Sequence, residues 1–271
     1  MTIIRNASAE EILARELERG IGDLAVLPKS AYDALQLAQT VEPSVEVVAA
    51  AANRDPVLMA RLLAVANSTL YARAVPIVTA KSAFIRIGNQ AARDVFYQVA
   101  YSAMLGNLPS FKHLASQTFN HGVLTSRIAR SLASFVTCDA QMTFLAGLLH
   151  DVGKSRCLRI LAKRCNDHPL REIVTAMNRM HAIAGSELAA AWRLPIEVVE
   201  TCQYHHDPGP RVVPAVVCLA NELAHVVDDD DESDDAKLSE AIERLELPAS
   251  HKDALLDLGR SEQNVMNASV G

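Results

Sequence analysis

The amino-acid sequence predicts an all-α protein built from two helical bundles. Alanine accounts for 42 of the 271 residues, whereas Phe, Trp and Tyr together make up only 4%. Alanine is the best intrinsic helix former and strands favour aromatic and β-branched residues, so this composition favours closely packed helices over a sheet. Apolar residues recur at helical spacing along most of the chain, and the sequence contains no convincing strand pattern and no glycine-rich phosphate loop.

Residues 1–110 predict an N-terminal helical subdomain of five or six short helices. The apolar positions within residues 1–20 form one stripe, and glycines follow it. Asp55 can cap a helix that has Pro56 in its first turn, where the missing N–H costs nothing. The expected helices cover residues 1–20, 30–41, 43–52, 57–67, 81–88 and 90–105.

Residues 111–230 predict a second helical bundle. It follows a joint at residues 107–110, which contains a proline. Each apolar run after this joint has the length of an ordinary helix. The expected helices cover residues 117–136, 140–150, 155–163, 170–180, 181–191, 196–204 and 213–227.

A short helical tail, residues 231–271, ends the chain after an acidic run. Residues 228–235 contain seven Asp or Glu, a pattern more typical of a solvated loop than of a metal or partner site. We expect two short helices between residues 236 and 259, with the residues after Gly259 frayed.

Composition and charge argue against several classes of function. The chain carries 26 Lys and Arg against 32 Asp and Glu, a net charge of −6. A strong non-specific nucleic-acid binder needs a basic surface that displaces phosphate counterions, so nucleic acid is not the expected partner unless a local basic patch forms. The sequence has no stretch of about 18 uncharged apolar residues, and we expect no membrane span.

Cysteine usage indicates the redox environment. The five cysteines are an odd number, none forms a Cys-x-x-Cys pair, and residues 1–5 do not lead into an apolar signal core. These features are typical of a reduced intracellular protein, and we expect a cytoplasmic location. Cys157 and Cys165 are interpreted as buried small residues and not as ligands.

The histidines are the first candidates for chemistry. Seven of the nine fall within residues 121–225, and two adjacent pairs, His150-Asp151 and His205-His206, each end an apolar helical run. A polar pair directly after a buried run costs desolvation unless hydrogen bonds or a metal ion satisfy it. Each pair taken alone is more often a hydrogen-bonded helix end than a metal site, so both interpretations stay open.

Metal chemistry would use these residue types. Imidazole nitrogen and carboxylate oxygen are ligands for Zn, Fe, Mn and related divalent ions. Such ions lower the pKa of bound water and clamp a phosphoryl oxygen. Lys154 lies three residues after Asp151, about one helical turn, and could approach a bound phosphate.

The chain resembles a known superfamily around these residues. Residues 148–154, Leu-Leu-His-Asp-Val-Gly-Lys, look like the central motif of the HD superfamily of metal-dependent phosphohydrolases. His121 matches the first histidine of that superfamily. The later histidines and the last aspartate are matched, in chain order, by His181, His205, His206 and Asn221.

Further motifs narrow the resemblance to the HDOD family, the HD-related output domain. Residues 55–68 are similar to its N-terminal signature, and residues 83–88, residues 192–195 and Leu27-Pro28 fit it as well. The resemblance implies a bacterial signalling module in which an N-terminal helical bundle packs on an HD-domain-like helical bundle.

The resemblance also implies a metal site, with Fe, Mn, Zn or Mg as one or two ions. Lys154 would steady the phosphate if the protein is an enzyme. One ion would be held by His121, His150, Asp151 and Asn221, and a second by His181, His205 and His206.

Two departures from the catalytic pattern bear on the function. The amide of Asn221 brings no charge and holds a divalent cation less well than a carboxylate. The Gly-Tyr-Pro triplet of HD-GYP relatives that cleave cyclic dinucleotides is absent after His206.

We therefore expect a non-catalytic signal-transduction output or interaction module with a degenerate HD-type site. It would bind a signalling protein or a small phosphorylated ligand in the cleft between the bundles, and the sequence carries no signal for an oligomeric state. The alternative is a metal-dependent phosphohydrolase acting on a nucleotide or another phosphoester.

Other residues have ordinary interpretations. Trp192 is expected to anchor the core. A basic cluster after the His-Asp pair is expected to be a solvated helix face, or else to attract an anionic ligand; it comprises Lys154, Arg156, Arg159, Lys163 and Arg164. Surface or capping roles are expected for His113, His168, His225 and His251.

Overall fold

A computed structural model describes residues 7–20, 29–40, 42–165, 167–228 and 234–270. Within these residues the chain forms α-helices and two short 3₁₀ turns, with no strand, and the all-α prediction is confirmed. None of the described helices is long and apolar enough to span a membrane. The expected motif at Leu27-Pro28 and residues 229–233 of the acidic run lie outside the described residues.

Among the described residues, five helices precede the joint near residue 110. Asp55 caps the fourth helix by accepting hydrogen bonds from the N–H groups of Val57 and Leu58, and Pro56 occupies its first turn, as predicted. The break expected at Gly88 between two helices is confirmed, because its backbone is non-helical with a φ of +77° that suits a residue without a side chain; the helical segments on either side are named together as α5. The helices are α1 (Ala9–Glu18), α2 (Lys29–Gln39), α3 (Val45–Arg54), α4 (Pro56–Asn67) and α5 (Ala80–Leu105).

The second bundle contains six helices. The break expected at residues 180–181 is wrong, because one helix runs through both positions. The helix expected to start at Ser155 starts at Val152, so Lys154 lies in its first turn. The helices are α6 (Lys112–Leu132), α7 (Ala140–Leu149), α8 (Val152–Arg164), α9 (Leu170–Ala191), α10 (Ile196–Tyr204) and α11 (Val212–Asp228).

Two more helices, α12 (Asp235–Arg244) and α13 (Lys252–Val270), follow the second bundle. The expectation of fraying after Gly259 is wrong, since α13 continues through Val270. Tertiary contacts stabilise this helix: Glu262 accepts a hydrogen bond from Ser131 of α6 at 2.7 Å and pairs with Arg127 at 2.9 Å. Helix α13 also packs against α11 and α4.

Helix α1 packs against α8 and α9 of the second bundle. Its buried residues Leu13 and Leu17 join an apolar cluster that includes Leu158 and Ile173. The boundaries at residues 110 and 230 remain predictions.

The expectation that the basic cluster is a solvated face is wrong for three of its members. The side chain of Lys154 is 13% exposed and pairs with the buried Asp151. Arg156 is only 1% exposed, pairs with Glu187 and donates to the carbonyl of Gly20 at 3.1 Å. Arg159 donates to the carbonyls of Met104 and Leu105 at 2.9 and 3.0 Å. These guanidinium groups satisfy the carbonyls at the ends of α1 and α5, because helix ends leave acceptors that need donors.

Two expectations about the core are confirmed. Trp192 is half-buried and packs against the main apolar core. Cys157 and Cys165 are buried small side chains, and burial raises the pKa of Cys157 to about 12.

Helices α8 and α9 approach closely at Gly153. A Cβ added there would fall within 3 Å of the carbonyl of His181 and the backbone of Gly185. Only glycine therefore allows the first turn of α8 to lie against α9, and this contact places Asp151 beside His181.

We expect Gly153→Ala to lower the free energy of unfolding by about 2–3 kcal/mol, because α8 must shift away from α9. Urea denaturation followed by circular dichroism measures this. The exposed Lys163→Ala on the same helix is the control and should change stability by less than about 0.5 kcal/mol. Equal stability of Gly153→Ala and wild type would contradict the packing argument.

Candidate metal centre

Four helices of the second bundle and the junction between two others direct polar side chains into one buried space. Helix α6 supplies His121, the α7–α8 junction supplies His150 and Asp151, α9 supplies His181, the end of α10 supplies His205 and His206, and α11 supplies Asn221. The ring centroids of neighbouring histidines lie 4.1 to 5.3 Å apart. The structure thus brings together all seven residues that the sequence singled out, while metal binding by them remains a prediction.

Asp151 lies at the centre of this space and is 2% exposed. Its Oδ1 is 3.2 Å from His181 Nε2 and 3.8 Å from His205 Nε2, and its Oδ2 is 3.4 Å from His150 Nε2. Lys154 Nζ lies 2.6 Å from Oδ2. Burial acts to raise the pKa of Asp151, but the Lys154 ammonium outweighs it and holds the pKa well below its usual range. Asp151 is therefore an anion in the folded protein.

Backbone carbonyls fix the orientation of three imidazoles. The Nδ1 atoms of His150, His181 and His205 lie 2.7 Å from the carbonyl of Gly147, 2.8 Å from that of Asn178 and 3.0 Å from that of Thr201, respectively. A carbonyl only accepts, so each Nδ1 carries the proton and each Nε2 presents a lone pair to the centre.

Four of the imidazoles are held in the neutral form that binds metal. Burial lowers the pKa of His121 and of His205 well below the usual value, and it lowers the pKa of His181 as well. Burial, with a contribution from His181, lowers the pKa of His206 to about 4. At neutral pH these rings keep their lone pairs, as metal ligation requires.

The donor atoms form two groups, each spanning less than 4.8 Å. The groups are His121, His150 and Asp151, and His181, His205 and His206. His150 Nε2 is buried and has no hydrogen-bond partner among the described residues. A lone pair left without a partner in a buried site fits a metal ligand. The predominance of imidazole favours Zn, Fe or Mn over Mg, which prefers oxygen ligands.

Asn221 contributes an oxygen to the first group. Its Oδ1 lies 2.9 Å from His121 Nε2. Its Nδ2 donates to Glu222 Oε1 at 3.2 Å, which orients the amide oxygen toward His121. Burial raises the pKa of Glu222. The sequence analysis missed Glu222, although an acidic residue within the apolar run of α11 is a signal that could have found it.

His225 was also missed. The expected surface or capping role is wrong, because His225 is 7% exposed and its ring stacks on His121 with centroids 4.5 Å apart. It lies four residues after Asn221, on the same face of α11, and this spacing is a signal that could have found it.

Two connected spaces adjoin the histidines. A cavity of about 50 Å³ is bounded by Asp151, His181 and Asn221, with Lys154 and His225 at its other side. A surface groove of about 630 Å³ shares Lys154 and His225 with this cavity and is walled on one side by residues of α13. The groove is within the size range of small-molecule sites, whereas the cavity has room for an ion and one or two waters.

Comparisons with known proteins agree with this description. The family model of the HDOD domain matches residues 24–208. A solved structure from Shewanella amazonensis SB2B, of a protein assigned as a metal-dependent phosphohydrolase, superposes with a TM-score of 0.71 at 21% identity. The match covers 97% of this chain and 99% of that one. This structural similarity supports the all-α fold described above.

Two curated relatives are longer than this chain. An uncharacterized protein of Treponema pallidum (strain Nichols) is 23% identical over 209 residues, covering 72% of this chain and 40% of that protein. Ribonuclease Y of Petrotoga mobilis is 26% identical over 117 residues, covering 43% of this chain and 19% of that enzyme. The chain therefore spans less than half the length of either relative.

We expect Lys154→Met to raise the affinity for Zn²⁺ or Mn²⁺ at least tenfold. The ammonium group lies where a bound ion would meet Asp151 Oδ2, so it competes for the carboxylate and repels the ion. Isothermal titration calorimetry measures the affinity, with Asp151→Asn as the control that loses it. Unchanged or weaker binding by Lys154→Met would contradict this role.

We expect the metal-free protein to lose stability as the pH falls from 6.5 to 5. The folded-state pKa values of His121, His181, His205 and His206 lie below the unfolded value of about 6.5, so the unfolded chain binds more protons in this window. Each such group contributes up to about 1.4 kcal/mol per pH unit. Urea unfolding in EDTA at several pH values measures the slope, and His206→Asn should reduce it. A flat profile would show that the rings are not buried neutral.

Proposed function

The chain belongs to the HDOD domain family, and we propose that it is an interaction module of bacterial signal transduction whose HD-type site binds one divalent metal ion without turnover. The ion would be held by His150, Asp151 and neighbouring imidazoles, and it would supply a cross-link between helices. The proposal places the protein in the cytoplasm, where its five free cysteines stay reduced.

The observation that carries this proposal is the shortage of negative charge. Asp151 is the one carboxylate in the two donor groups among the described residues. Two divalent ions would place four positive charges beside this one carboxylate and the Lys154 ammonium, with desolvated surroundings on all sides. One ion is compatible with this charge, whereas a two-ion site of the kind that clamps both oxygens of a phosphoryl displacement is not.

The cavity beside Asp151 is consistent with the same conclusion. Its volume of about 50 Å³ accommodates an ion with one or two waters. A metal ion held there would connect α7, α8, α9 and α10. Binding of this kind stabilises the folded state, because the unfolded chain has no assembled site.

The groove beside α13 supplies a place for a small ligand. Lys154 is shared by the groove and the cavity, so a phosphorylated ligand in the groove would meet this ammonium and loosen its contact with Asp151. Ligand and metal occupancy would then be coupled through Lys154, and a signalling protein could detect the resulting change.

The alternative function is a metal-dependent phosphohydrolase acting on a nucleotide or other phosphoester. The specific observation in its favour is that the groove opens onto His121 and Lys154, where a phosphate could reach the metal-binding side chains. In that case Lys154 would steady the phosphate, and a second ion would have to be held by His181, His205 and His206 with no carboxylate of their own.

Metal content distinguishes these proposals. We expect about one transition-metal ion per wild-type chain by inductively coupled plasma mass spectrometry, and none for His150→Ala or Asp151→Ala, because both remove donors at the centre. The exposed His113→Ala is the control and should keep the ion. Bis(p-nitrophenyl) phosphate and a short RNA should remain intact with added Mn²⁺.

A further variant tests the charge argument. Asn221→Asp adds a second carboxylate to the site, and the stoichiometry should rise toward two ions. Equal metal content in wild type, His150→Ala and Asp151→Ala would overturn the metal site. Phosphodiester cleavage that disappears in Asp151→Ala would establish the enzyme instead.

A further inference from the structure

The loop between α4 and α5 has a defined shape. Asn67 Nδ2 donates to the carbonyls of Leu63 and Ile77 at 3.0 and 2.8 Å, and Asn67 Oδ1 accepts from the N–H of Ile77 at 2.7 Å. Arg86 donates to the carbonyl of Val75 at 3.2 Å. These bonds connect residues 75–77 of the loop to α4 and α5.

This braced loop and the first turns of α5 expose aliphatic side chains. Val75 is 70% exposed, Val78 79%, Ile85 63% and Leu70 45%. Large apolar side chains exposed to this extent within one short segment are typical of an interaction site. We name these four residues, together with Arg73 and Lys81, the loop face.

The loop face is basic within an acidic protein. Positions 56–93 contain five Lys or Arg and no Asp or Glu, whereas the whole chain has a net charge of −6. Arg73 and Lys81 are exposed. The pair that Lys81 forms with Glu46 spans 3.4 Å between exposed side chains, so it is weak and readily exchanged for another carboxylate.

We infer that the loop face docks a protein segment whose apolar side chains are flanked by Asp or Glu. An apolar centre with a charged rim is the ordinary composition of a protein interface. The loop face has no exposed aromatic ring for stacking on nucleic-acid bases, and Tyr71 beside it is half-buried. It also lacks the aromatic side chains and the dense Lys and Arg of a membrane-surface helix.

Helix α13 joins the loop face to the candidate metal centre. Thr69, next to Leu70, donates its hydroxyl to the carbonyl of Ala268 at 3.1 Å. Gln263 and Met266 of the same helix line the groove that shares Lys154 with the cavity. The inference rests on the proposed role as an interaction module, and this helix gives that role a physical connection between ligand groove and partner.

The test is selection of binders from a random 16-residue peptide display library on the full chain, followed by fluorescence anisotropy with the enriched peptides. We expect these peptides to be acidic and apolar. Their affinity should fall at least tenfold for Val75→Ser/Val78→Ser and for Arg73→Glu/Lys81→Glu. The exposed controls Ile196→Ser and Lys163→Glu should bind as wild type does, and thermal unfolding should be the same for all five proteins.

Other outcomes are distinguishable. If the enriched peptides bind wild type and both double variants equally, the inference that the loop face docks a peptide is overturned. The protein would still be an interaction module, but it would use another surface. Absence of any enriched peptide would overturn both. If wild type binds phosphatidylglycerol vesicles, or self-associates in sedimentation, and the two double variants do not, then the loop face binds a membrane or a second copy of the chain. Either result would overturn the peptide inference. None of these results depends on metal content, which tests the site separately.

Discussion

The burial of the Asp151 carboxylate is the constraint on which the rest of the structure depends. A buried anion is costly unless a cation compensates it, and here the Lys154 ammonium lies 2.6 Å from one oxygen while three imidazole nitrogens, each within 4 Å, face the carboxylate with lone pairs that a further cation would satisfy. These groups come from four helices, so the helices must meet at this carboxylate. The close contact of α8 with α9 at Gly153 places Asp151 beside His181. The hydrogen bonds from the Nδ1 atoms of His150, His181 and His205 to backbone carbonyls hold these rings facing Asp151.

The shortage of negative charge at the site is the reason for proposing metal binding without catalysis. The site keeps the nitrogen donors of an HD-type centre while it has an amide at Asn221, where the superfamily has a carboxylate. Glu222 is adjacent in sequence, but it belongs to neither donor group and accepts a hydrogen bond from the Asn221 amide instead. In the proposed function the remaining donor set holds one ion, and the internal cation Lys154 opposes its binding. Under that proposal the site reports occupancy and does not turn over a substrate.

The helices outside the family match add to the site. Helix α11 supplies Asn221, Glu222 and His225, and α13 forms a wall of the groove, although the family match ends at residue 208. Glu262 connects α13 to α6 through Arg127 and Ser131. The C-terminal part of the chain is therefore built into the centre of the molecule, and any ligand in the groove contacts it.

The sequence by itself determined the helical class, the capped start of α4 at Asp55 and Pro56, and the seven polar residues that converge, because periodicity, capping and motif spacing are local properties. It could not locate α1 on the second bundle, extend α13 beyond Gly259, or place Arg156, Glu222 and His225 in the interior. Those features are decided by tertiary structure, since whether a charged or imidazole side chain is buried depends on which partner from a distant part of the chain compensates its desolvation.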